Sequence, residues 1–198
     1  SAASDVYKRQ GIYFLIPEAE MLKDLFKDRK IVIFDIKTTE EGLDSEILYF
    51  AARTYINNEM VSKHNFFIAT DKKIPGSIIR KYRITNKKIE SEGIDKMSAL
   101  ENMTYIFQDA ILFTYNGDNF VFPLLEKIYK EYGYNLQISE IDALKLAKQV
   151  IGFDDDISLE DLATKLGVRY EQERLLGSPY TAIVLEKIWF RLKSFIIS

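Results

Sequence analysis

Two stretches of sequence decide the fold: IVIFDIKTT at Ile31–Thr39 and ILFTYNGDNFVFPLL at Ile111–Leu125. Each begins with a short run of β-branched and aromatic residues, which is typical of a strand rather than a helix. In the second stretch the run is followed by Asn116-Gly117, a dipeptide that favours a tight turn. The residues after this turn have helical periodicity. The second stretch therefore predicts a strand, a turn and a helix in succession.

Further strands and helices surround these two stretches. Besides the strands at Ile31–Ile36 and Ala110–Tyr115, composition predicts strands at Gly11–Ile16, Ile47–Tyr55, Val61–Ala69 and Gln137–Ile141, with a hairpin turn at Asn57-Asn58. Apolar periodicity predicts helices at Pro17–Phe26, Ser98–Phe107, Phe122–Tyr132, Asp142–Ile151, Ser158–Leu166 and Ser178–Phe195. Ser158 followed by Asp161 is typical of a helix N-cap. An antiparallel meander followed by alternating helices and strands predicts an α/β domain with a mixed sheet.

Length and composition exclude several classes of protein. The chain has 198 residues and a formal net charge of −3, which fits one globular domain without a global basic field. The absence of Cys excludes disulfides, thiolate zinc sites and a Cys nucleophile, and the single His64 excludes a multi-His metal site. We expect a cytoplasmic protein with no membrane contact, because no apolar run approaches the roughly 20 residues of a membrane span. We expect residues 1–10 to be a non-native or disordered leader and residues 11–198 to form a single domain.

The two stretches resemble motifs of the DnaQ-like (DEDD) 3′–5′ exonuclease superfamily. Ile31–Thr39 is similar to its first motif, a strand ending in Phe-Asp-x-Glu-Thr-Thr, and Ile111–Leu125 to its second, a strand followed by Asn-x-x-Phe-Asp. Arg174–Ala182 resembles the third motif, His-x-x-x-x-Asp-Ala, and shorter similarities occur at Ile84-Thr85, Ile141–Leu144 and Ile157–Gly167. The resemblance implies a ribonuclease H-like α/β fold, a mixed five-stranded sheet flanked by helices, for an exonuclease-like domain.

The resemblance also implies a chemistry that this chain departs from. In the family, four carboxylates hold two Mg²⁺ or Mn²⁺ ions that activate water and stabilise the leaving oxygen, and a His or Tyr is the general base. Asp35 matches the first carboxylate, but Lys37 replaces the Glu, Val121 and Ser178 replace the other two Asp residues, and Glu173 replaces the His. We therefore expect no catalytic residue and no metal cofactor, with Asp35 the one candidate ligand. We also expect Val121 to lie in an apolar environment.

Two alternatives concern the acidic residues. Displaced acids near the relevant loops, namely Glu40, Glu41, Asp118 and Asp154–Asp156, would rebuild a site in which Mg²⁺ or Mn²⁺ is again the cofactor. Asp35 itself is either a surviving metal ligand or a polar residue at a strand end that pairs with Lys37. The second interpretation is favoured, because alternate residues of a strand share a face.

The stretch Lys72–Lys88 contains seven Lys or Arg residues and no acidic residue. Concentrated positive charge predicts contact with phosphates, and in the related exonucleases this region lies beside the substrate groove. The candidate nucleic-acid-binding residues are Lys72, Lys73, Arg80, Lys81, Tyr82 and Arg83, together with Asn116 and Phe120 near the second motif. The alternatives are a solvated helix or loop for the basic stretch and a core position for Phe120.

Three functional hypotheses follow. The first is a catalytically degenerate exonuclease-fold protein that binds single-stranded DNA or RNA, or a protein partner. The second is an active, divergent, metal-dependent 3′–5′ exonuclease that uses displaced acids. The third is a purely structural, protein-docking subunit. The basic stretch favours the first two over the third, and the replaced ligands count against the second.

Overall fold

The structure, a computed structural model, describes residues 6–9, 12–15, 26–175, 177 and 179–197. Strands β1 (Val6–Arg9) and β2 (Ile12–Leu15) form an antiparallel sheet of their own. Strand β2 confirms most of the strand that composition predicts at residues 11–16. The predicted helix at residues 17–26 lies outside the described residues apart from Phe26, which is helical.

The main sheet has six strands in the order β6-β5-β4-β3-β7-β8. Strands β3, β4 and β5 form an antiparallel meander, and β7 and β8 lie parallel to β3 on its other side. The predicted hairpin turn is confirmed, because Asn57 and Asn58 have φ angles of 50° and 69°, which a type I′ turn requires. The strands are β3 (Lys30–Thr38), β4 (Ile47–Ile56), β5 (Glu59–Ile68), β6 (Gly93–Ile94), β7 (Ala110–Thr114) and β8 (Ser139–Asp142).

The mixed α/β fold is confirmed, but the main sheet has one strand more than the five predicted. The additional strand, β6, contains only Gly93 and Ile94, which pair in parallel with Phe67 and Ile68. Two residues are too few to show the alternation by which a strand is recognised in a sequence. The prediction therefore missed the shortest strand of the sheet and found the other five.

Seven α-helices occur in the described part of the chain. They are α1 (Gly76–Tyr82), α2 (Asn86–Glu92), α3 (Lys96–Phe107), α4 (Phe122–Glu131), α5 (Ala143–Ile151), α6 (Leu159–Lys165) and α7 (Tyr180–Ile197). The predicted cap is confirmed, since the Ser158 hydroxyl accepts a hydrogen bond of 3.1 Å from the Asp161 amide. Within the described residues we find no helix with the length and apolarity of a membrane span.

Strand β3 is buried on both faces, and its two faces meet different helices. Val32, Phe34 and Ile36 pack in an apolar cluster with α3 and α4. Ile31 and Ile33 pack in a second cluster with residues of α5, α6 and α7. Because alternate residues of a strand share a face, the next residues of the second face are Asp35 and Lys37. Both therefore lie at the carboxyl end of β3, on the side of α7.

A third apolar cluster attaches the basic stretch to this end of the sheet. Ile78 of α1, Ile89 of α2 and Ile84, which lies between these two helices, are buried against Tyr49 of β4 and Ala182 of α7. The sequence left the Lys72–Lys88 stretch open between a helix and a loop, and helices α1 and α2 make more than half of it helical. Because α1 and α2 pack here, the positive charges of the Lys72–Lys88 stretch lie beside the carboxyl end of β3.

The turn after β7 contains a glycine that has no room for a side chain. A β-carbon at Gly117 would lie 2.3 Å from Cε2 of Phe122, whose ring is buried beside Phe34. We expect Gly117→Ala to lower the free energy of unfolding by about 1–3 kcal/mol, because the buried ring must move. Urea denaturation followed by circular dichroism measures this change.

Gly76→Ala is the matched control. At Gly76 the nearest atom to an added β-carbon is the Arg80 Nη1, at an ordinary 3.5 Å. We expect this variant to change the free energy of unfolding by less than about 0.5 kcal/mol. Equal destabilisation by the two substitutions would contradict the packing of Gly117 against Phe122.

Candidate functional site

The carboxyl end of β3 holds a buried ion pair. Lys37 Nζ lies 2.9 Å from Asp35 Oδ2, and the two side chains are only 4% and 16% exposed. The pairing that strand alternation predicts is therefore present in the structure. Residues two apart in a strand meet without help from another element, so this contact is intrinsic to the sequence Asp-Ile-Lys.

Lys37 makes two further contacts, each with a different helix. Its Nζ donates a hydrogen bond of 2.8 Å to Thr181 Oγ1 in α7, and Thr181 Oγ1 donates one of 2.6 Å to the Leu175 carbonyl. The ammonium also lies 5.0 Å from the centroid of the Tyr82 ring in α1, a cation–π distance. One ammonium thus joins β3, α1 and α7.

The ionisable groups around this pair are poorly suited to proton transfer. Burial raises the pKa of the Asp35 carboxyl, and the Lys37 ammonium opposes part of that rise. Tyr49, which is opposite Lys37 in the β3–β4 register, has its pKa raised by burial and by the Asp35 charge. The carboxylate is committed to Lys37 and the phenol keeps its proton, so neither group is placed to act as a general base.

The second motif forms a turn in which Phe120 and Val121 pack against the core. Asn116 has a φ of 54°, and its carbonyl accepts the amides of Phe120 and Val121, each at 3.2 Å. Val121 is 5% exposed and packs in the cluster between the sheet, α3 and α4, as expected from the sequence. Phe120 is half-buried against the same cluster. At the motif-two position the structure therefore places an apolar contact where a carboxylate ligand would be needed.

The third motif contributes Thr181, a residue that the sequence did not mark as part of the site. Glu173 is exposed in a 3-10 turn at Gln172–Arg174, and Ser178 lies outside the described residues. Thr181 is the residue of this segment that reaches the Asp35–Lys37 pair. No local pattern predicts this role, because the Lys37–Thr181 contact spans 144 positions of sequence.

The displaced acids do not gather around Asp35. Four of them are paired with lysines on separate elements: Glu40 with Lys72 (3.8 Å), Glu41 with Lys81 (3.3 Å), Asp118 with Lys145 (2.6 Å) and Asp156 with Lys148 (2.6 Å). Asp154 and Asp155 are exposed. These pairings leave the acids dispersed along the loops rather than convergent on one point.

Asp142, at the end of β8, is a buried carboxylate that the sequence did not mark as a site residue. It is 6% exposed, and its side chain caps α5 by accepting the amides of Leu144 and Lys145. A further amide, from Asp118, reaches its other oxygen at 3.1 Å. Burial raises the pKa of this carboxyl, and the backbone donors counteract the rise. Its hydrogen bonds explain it as a helix cap.

The described residues do not fit the pair of divalent ions that the resemblance implies. Among them, no group of three or more His, Asp or Glu side chains is arranged to hold a metal. In addition, the Lys37 ammonium lies 2.9 Å from Asp35 Oδ2, so a cation bound to this carboxylate would be repelled by it. Two unit charges about 4 Å apart interact by roughly 4 kcal/mol at an effective dielectric constant of 20, and a divalent ion doubles that repulsion.

The basic stretch presents its charges to solvent beside this pair. The side chains of Lys72, Lys73, Arg80, Lys81 and Arg83 are exposed on α1 and the residues that flank it. Tyr82 is half-buried, and its ring centroid lies 5.0 Å from Lys37 Nζ and 5.2 Å from Lys81 Nζ. The exposed positive surface and the buried ion pair therefore meet at one aromatic ring.

The ion pair generates a prediction about pH. In Lys37→Met, Asp35 is left buried without its cation, so its folded pKa rises further above the value in the unfolded chain. A carboxyl whose pKa is raised by folding loses stability as the pH rises from its unfolded pKa through its folded pKa. We expect the variant to be less stable by about 3–5 kcal/mol at pH 7.5 and much closer to wild type at pH 4. Urea denaturation at the two pH values measures this.

The double variant Asp35→Asn/Lys37→Met is the control, because it removes both charges. We expect it to regain most of the stability at pH 7.5 and to show little of the pH dependence. A single variant whose deficit is the same at both pH values would contradict a loss caused by an unpaired carboxylate.

Two curated relatives cover most of this chain. It is similar to the PolC-type DNA polymerase III of Mycoplasma genitalium, with 32% identity over 168 residues, which are 84% of this chain and 12% of that protein. It is also similar to the PolC-type DNA polymerase III of Mycoplasmopsis pulmonis, with 30% identity over 197 residues, covering 94% of this chain and 13% of that protein. The chain thus spans about an eighth of the length of these relatives.

Solved structures of E. coli exonuclease I have a similar fold. The zinc-bound complex of that enzyme with single-stranded DNA has a TM-score of 0.68 at 13% identity, covering 83% of this chain and 40% of that one. Its complex with a dT13 oligonucleotide has a TM-score of 0.65 at 14% identity, with coverages of 83% and 40%. The resemblance to DnaQ-like exonucleases noted in the sequence is confirmed. A family model described as the RNase_H superfamily matches residues 32–185, and the chain belongs to that superfamily.

Proposed function

We propose that this chain is a catalytically degenerate exonuclease-fold protein that binds single-stranded nucleic acid without cleaving it, and that it works in the cytoplasm. The observation that supports this proposal is the position of Lys37, whose buried ammonium is bound to Asp35 and Thr181. The Lys37 ammonium thus supplies a positive charge at the carboxylate that in the family would bind a metal ion. No Mg²⁺ or Mn²⁺ is required by this function.

Cleavage of a phosphodiester by the family's chemistry needs several carboxylates in one place. Hard divalent ions require multiple oxygen ligands in tight geometry, and two ions clamp the attacking and leaving oxygens. Here Asp35 is paired with Lys37, and Val121 is packed in the core. The surrounding acids are held by other lysines or serve as a helix cap. This arrangement supports binding rather than hydrolysis.

The nucleic-acid partner is supported by charge placement and by the similar structures. The exposed basic residues of α1 lie beside Tyr82, an aromatic ring next to the Asp35–Lys37 pair. Single-stranded nucleic acid is bound by positive grooves combined with aromatic side chains. The similar E. coli exonuclease I structures contain single-stranded DNA and an oligothymidylate. The same class of ligand suits the basic surface of this chain.

The degenerate site is tested with metal and substrate together. We expect calorimetric titration with Mg²⁺ and Mn²⁺ to show no saturable binding at millimolar concentrations, because Asp35 alone offers too few oxygens. A 3′-labelled oligonucleotide should stay intact in the same buffers. Asp35→Ala is the comparison variant; because it leaves Lys37 without its carboxylate partner, its folding is checked by circular dichroism, and the folded variant should behave as wild type in both assays. Stepwise 3′ shortening that Asp35→Ala abolishes would show an active exonuclease instead.

The binding surface is tested by charge reversal. We expect wild type to bind single-stranded DNA or RNA with an affinity that falls as salt rises. Replacing Arg80, Lys81 and Arg83 with Glu should weaken binding at least tenfold, and should reduce the slope of log affinity against log salt by about 2. Fluorescence anisotropy at several salt concentrations measures both quantities.

The matched control reverses three exposed lysines outside the basic stretch, Lys27, Lys63 and Lys130, and makes the same change in net charge. We expect this control to retain most of the affinity and slope, because its positions do not border Tyr82. An equal loss in the two triple variants would mean that net charge, not the α1 surface, governs binding. No binding of wild type to single- or double-stranded substrates at low salt would replace this function with protein docking.

A further inference from the structure

A second positively charged surface lies along the last helix, α7, outside the Lys72–Lys88 stretch. It is a shallow depression of about 610 Å³ between the carboxyl-terminal half of α7, Tyr55 of β4 and residues 168–169, which follow α6. We call this depression the α7 groove. The charged residues that line it are three cations and one carboxylate: Arg169, Lys187, Arg191 and Glu186.

The carboxylate in the α7 groove is already paired with a cation. Arg53 Nε lies 2.9 Å from Glu186 Oε1, and the Tyr55 hydroxyl donates a hydrogen bond to the same oxygen. The side chains of Arg53 and Glu186 are only 21% and 14% exposed. Glu186 therefore offsets the charge of Arg53 and leaves the three cations of the groove with their positive charge.

Within the described part of the chain, these three cations contact neutral groups and no carboxylate. Lys187 Nζ donates a hydrogen bond of 2.9 Å to the Arg169 carbonyl, and Arg191 Nε donates one of 3.0 Å to the Leu166 carbonyl. The Arg169 guanidinium is exposed and has no partner among the described residues. An ammonium has three donors and a guanidinium five, so most of the N–H groups in the groove are available to an anion.

Lys193 extends the positive charge toward the β4–β5 hairpin. It follows Glu186 by seven residues, about two helical turns, and so lies on the same side of α7. Its Nζ donates a hydrogen bond of 2.7 Å to Asn58 Oδ1. Burial lowers the pKa of this ammonium, and no nearby carboxylate of the described chain raises it. The hairpin end of the groove is therefore not neutralised by an acid of the described residues.

Aromatic rings lie among these cations. Phe190, which is half-buried, and Tyr55 both line the groove, and their ring centroids are 5.0 Å apart. The Arg191 guanidinium lies 4.6 Å from the centroid of the Phe195 ring, whose side chain is 41% exposed. Single-stranded nucleic acid is bound where positive charge is combined with aromatic side chains. An acidic peptide would use the cations alone, so this combination favours a nucleic-acid strand.

Helix α7 connects the groove to the surface of α1. Ala182, near the start of α7, packs with Ile78 of α1. From there, at least partly exposed side chains recur every three or four residues, which is the helical period, at Ile183, Glu186, Lys187, Phe190, Arg191 and Ser194. Between Thr181, which contacts Lys37, and Arg191 the helix rises about 15 Å, at roughly 1.5 Å per residue. A strand with the rise of about 3.4 Å per nucleotide that it has in a duplex covers this distance with four to five nucleotides.

We propose that the α7 groove is a second contact surface for the strand that the basic stretch binds, with Arg169, Lys187 and Arg191 bound to its phosphates. This inference rests on the proposed function and adds a length requirement to it. Guanidinium groups suit this role because their paired N–H donors match the oxygens of a phosphate. A strand that is too short to extend from α1 along α7 does not reach the groove.

The test compares oligothymidylates of about 4 and about 16 nucleotides, the range of site sizes of single-strand-binding folds. In the triple variant Arg169→Gln/Lys187→Gln/Arg191→Gln, the amides of the new side chains can still donate to the Arg169 and Leu166 carbonyls. We expect the variant to bind the longer strand at least fivefold more weakly, with the slope of log affinity against log salt reduced by about 2. Its affinity for the shorter strand should change less than twofold. Fluorescence anisotropy measures both, and circular dichroism checks the fold.

The matched control, Lys27→Gln/Arg29→Gln/Lys130→Gln, removes the same charge from exposed positions outside the groove and should bind both strands as wild type. A loss as large as in the groove variant would overturn the inference in favour of net charge. Equal affinities of wild type and the folded groove variant for the longer strand would also overturn it. If reversal of the α1 charges still weakens binding in that assay, the proposed function stands. Wild type that binds neither strand would overturn both.

Arg169→Ala tests the groove without touching a contact of the described chain. We expect an unchanged melting temperature and about two- to threefold weaker binding of the longer strand, because one phosphate contact is lost. In an NMR titration of the full chain, the longer strand should shift the amides of Val168, Arg169, Lys187 and Ser194. A polyglutamate peptide that shifts these amides, while the longer strand does not, would make the groove a docking surface for an acidic protein and would overturn the inference.

Discussion

A buried positive charge has to be paired, and in this protein the charge of Lys37 organises the carboxyl end of the central strand. Its side chain is 4% exposed, and its partners are Asp35 of β3, Thr181 of α7 and the ring of Tyr82 in α1. Desolvating an ion costs several kcal/mol, which only well-placed partners offset. The relative positions of β3, α1 and α7 are therefore tied to one ammonium. Under the proposed function, the positive charge that the family's chemistry supplies as a metal ion belongs in this chain to the Lys37 side chain.

The parts of the fold that are local in sequence could be predicted. The strand at β3, the paired Asn residues of the hairpin and the cap at Ser158 each depend on residues a few positions apart. The two-residue strand β6 could not be predicted, because its existence depends on pairing with β5. The sequence also left the basic stretch undecided between a helix and a loop, since Ile78 and its neighbours are helical in contact with β4 and have no strong pattern of their own.

The same distinction holds for the candidate site. The contact between Asp35 and Lys37 follows from strand alternation, and the core position of Val121 follows from its chemistry. Thr181 could not be identified, because nothing near it in the sequence indicates that it meets Lys37.

Burial also decides which lysines are able to exchange partners. The pairs of Lys72 with Glu40 and of Lys81 with Glu41 involve side chains that are 38–89% exposed, and exposed ion pairs contribute about 0–1 kcal/mol. A phosphate that replaces such a carboxylate therefore loses little to competition. Lys37 differs, because releasing it would leave a largely buried carboxylate without a cation. Under the proposed function, nucleic acid recruits the lysines of the basic surface while the Asp35–Lys37 ion pair stays intact, which separates binding from the family's metal chemistry.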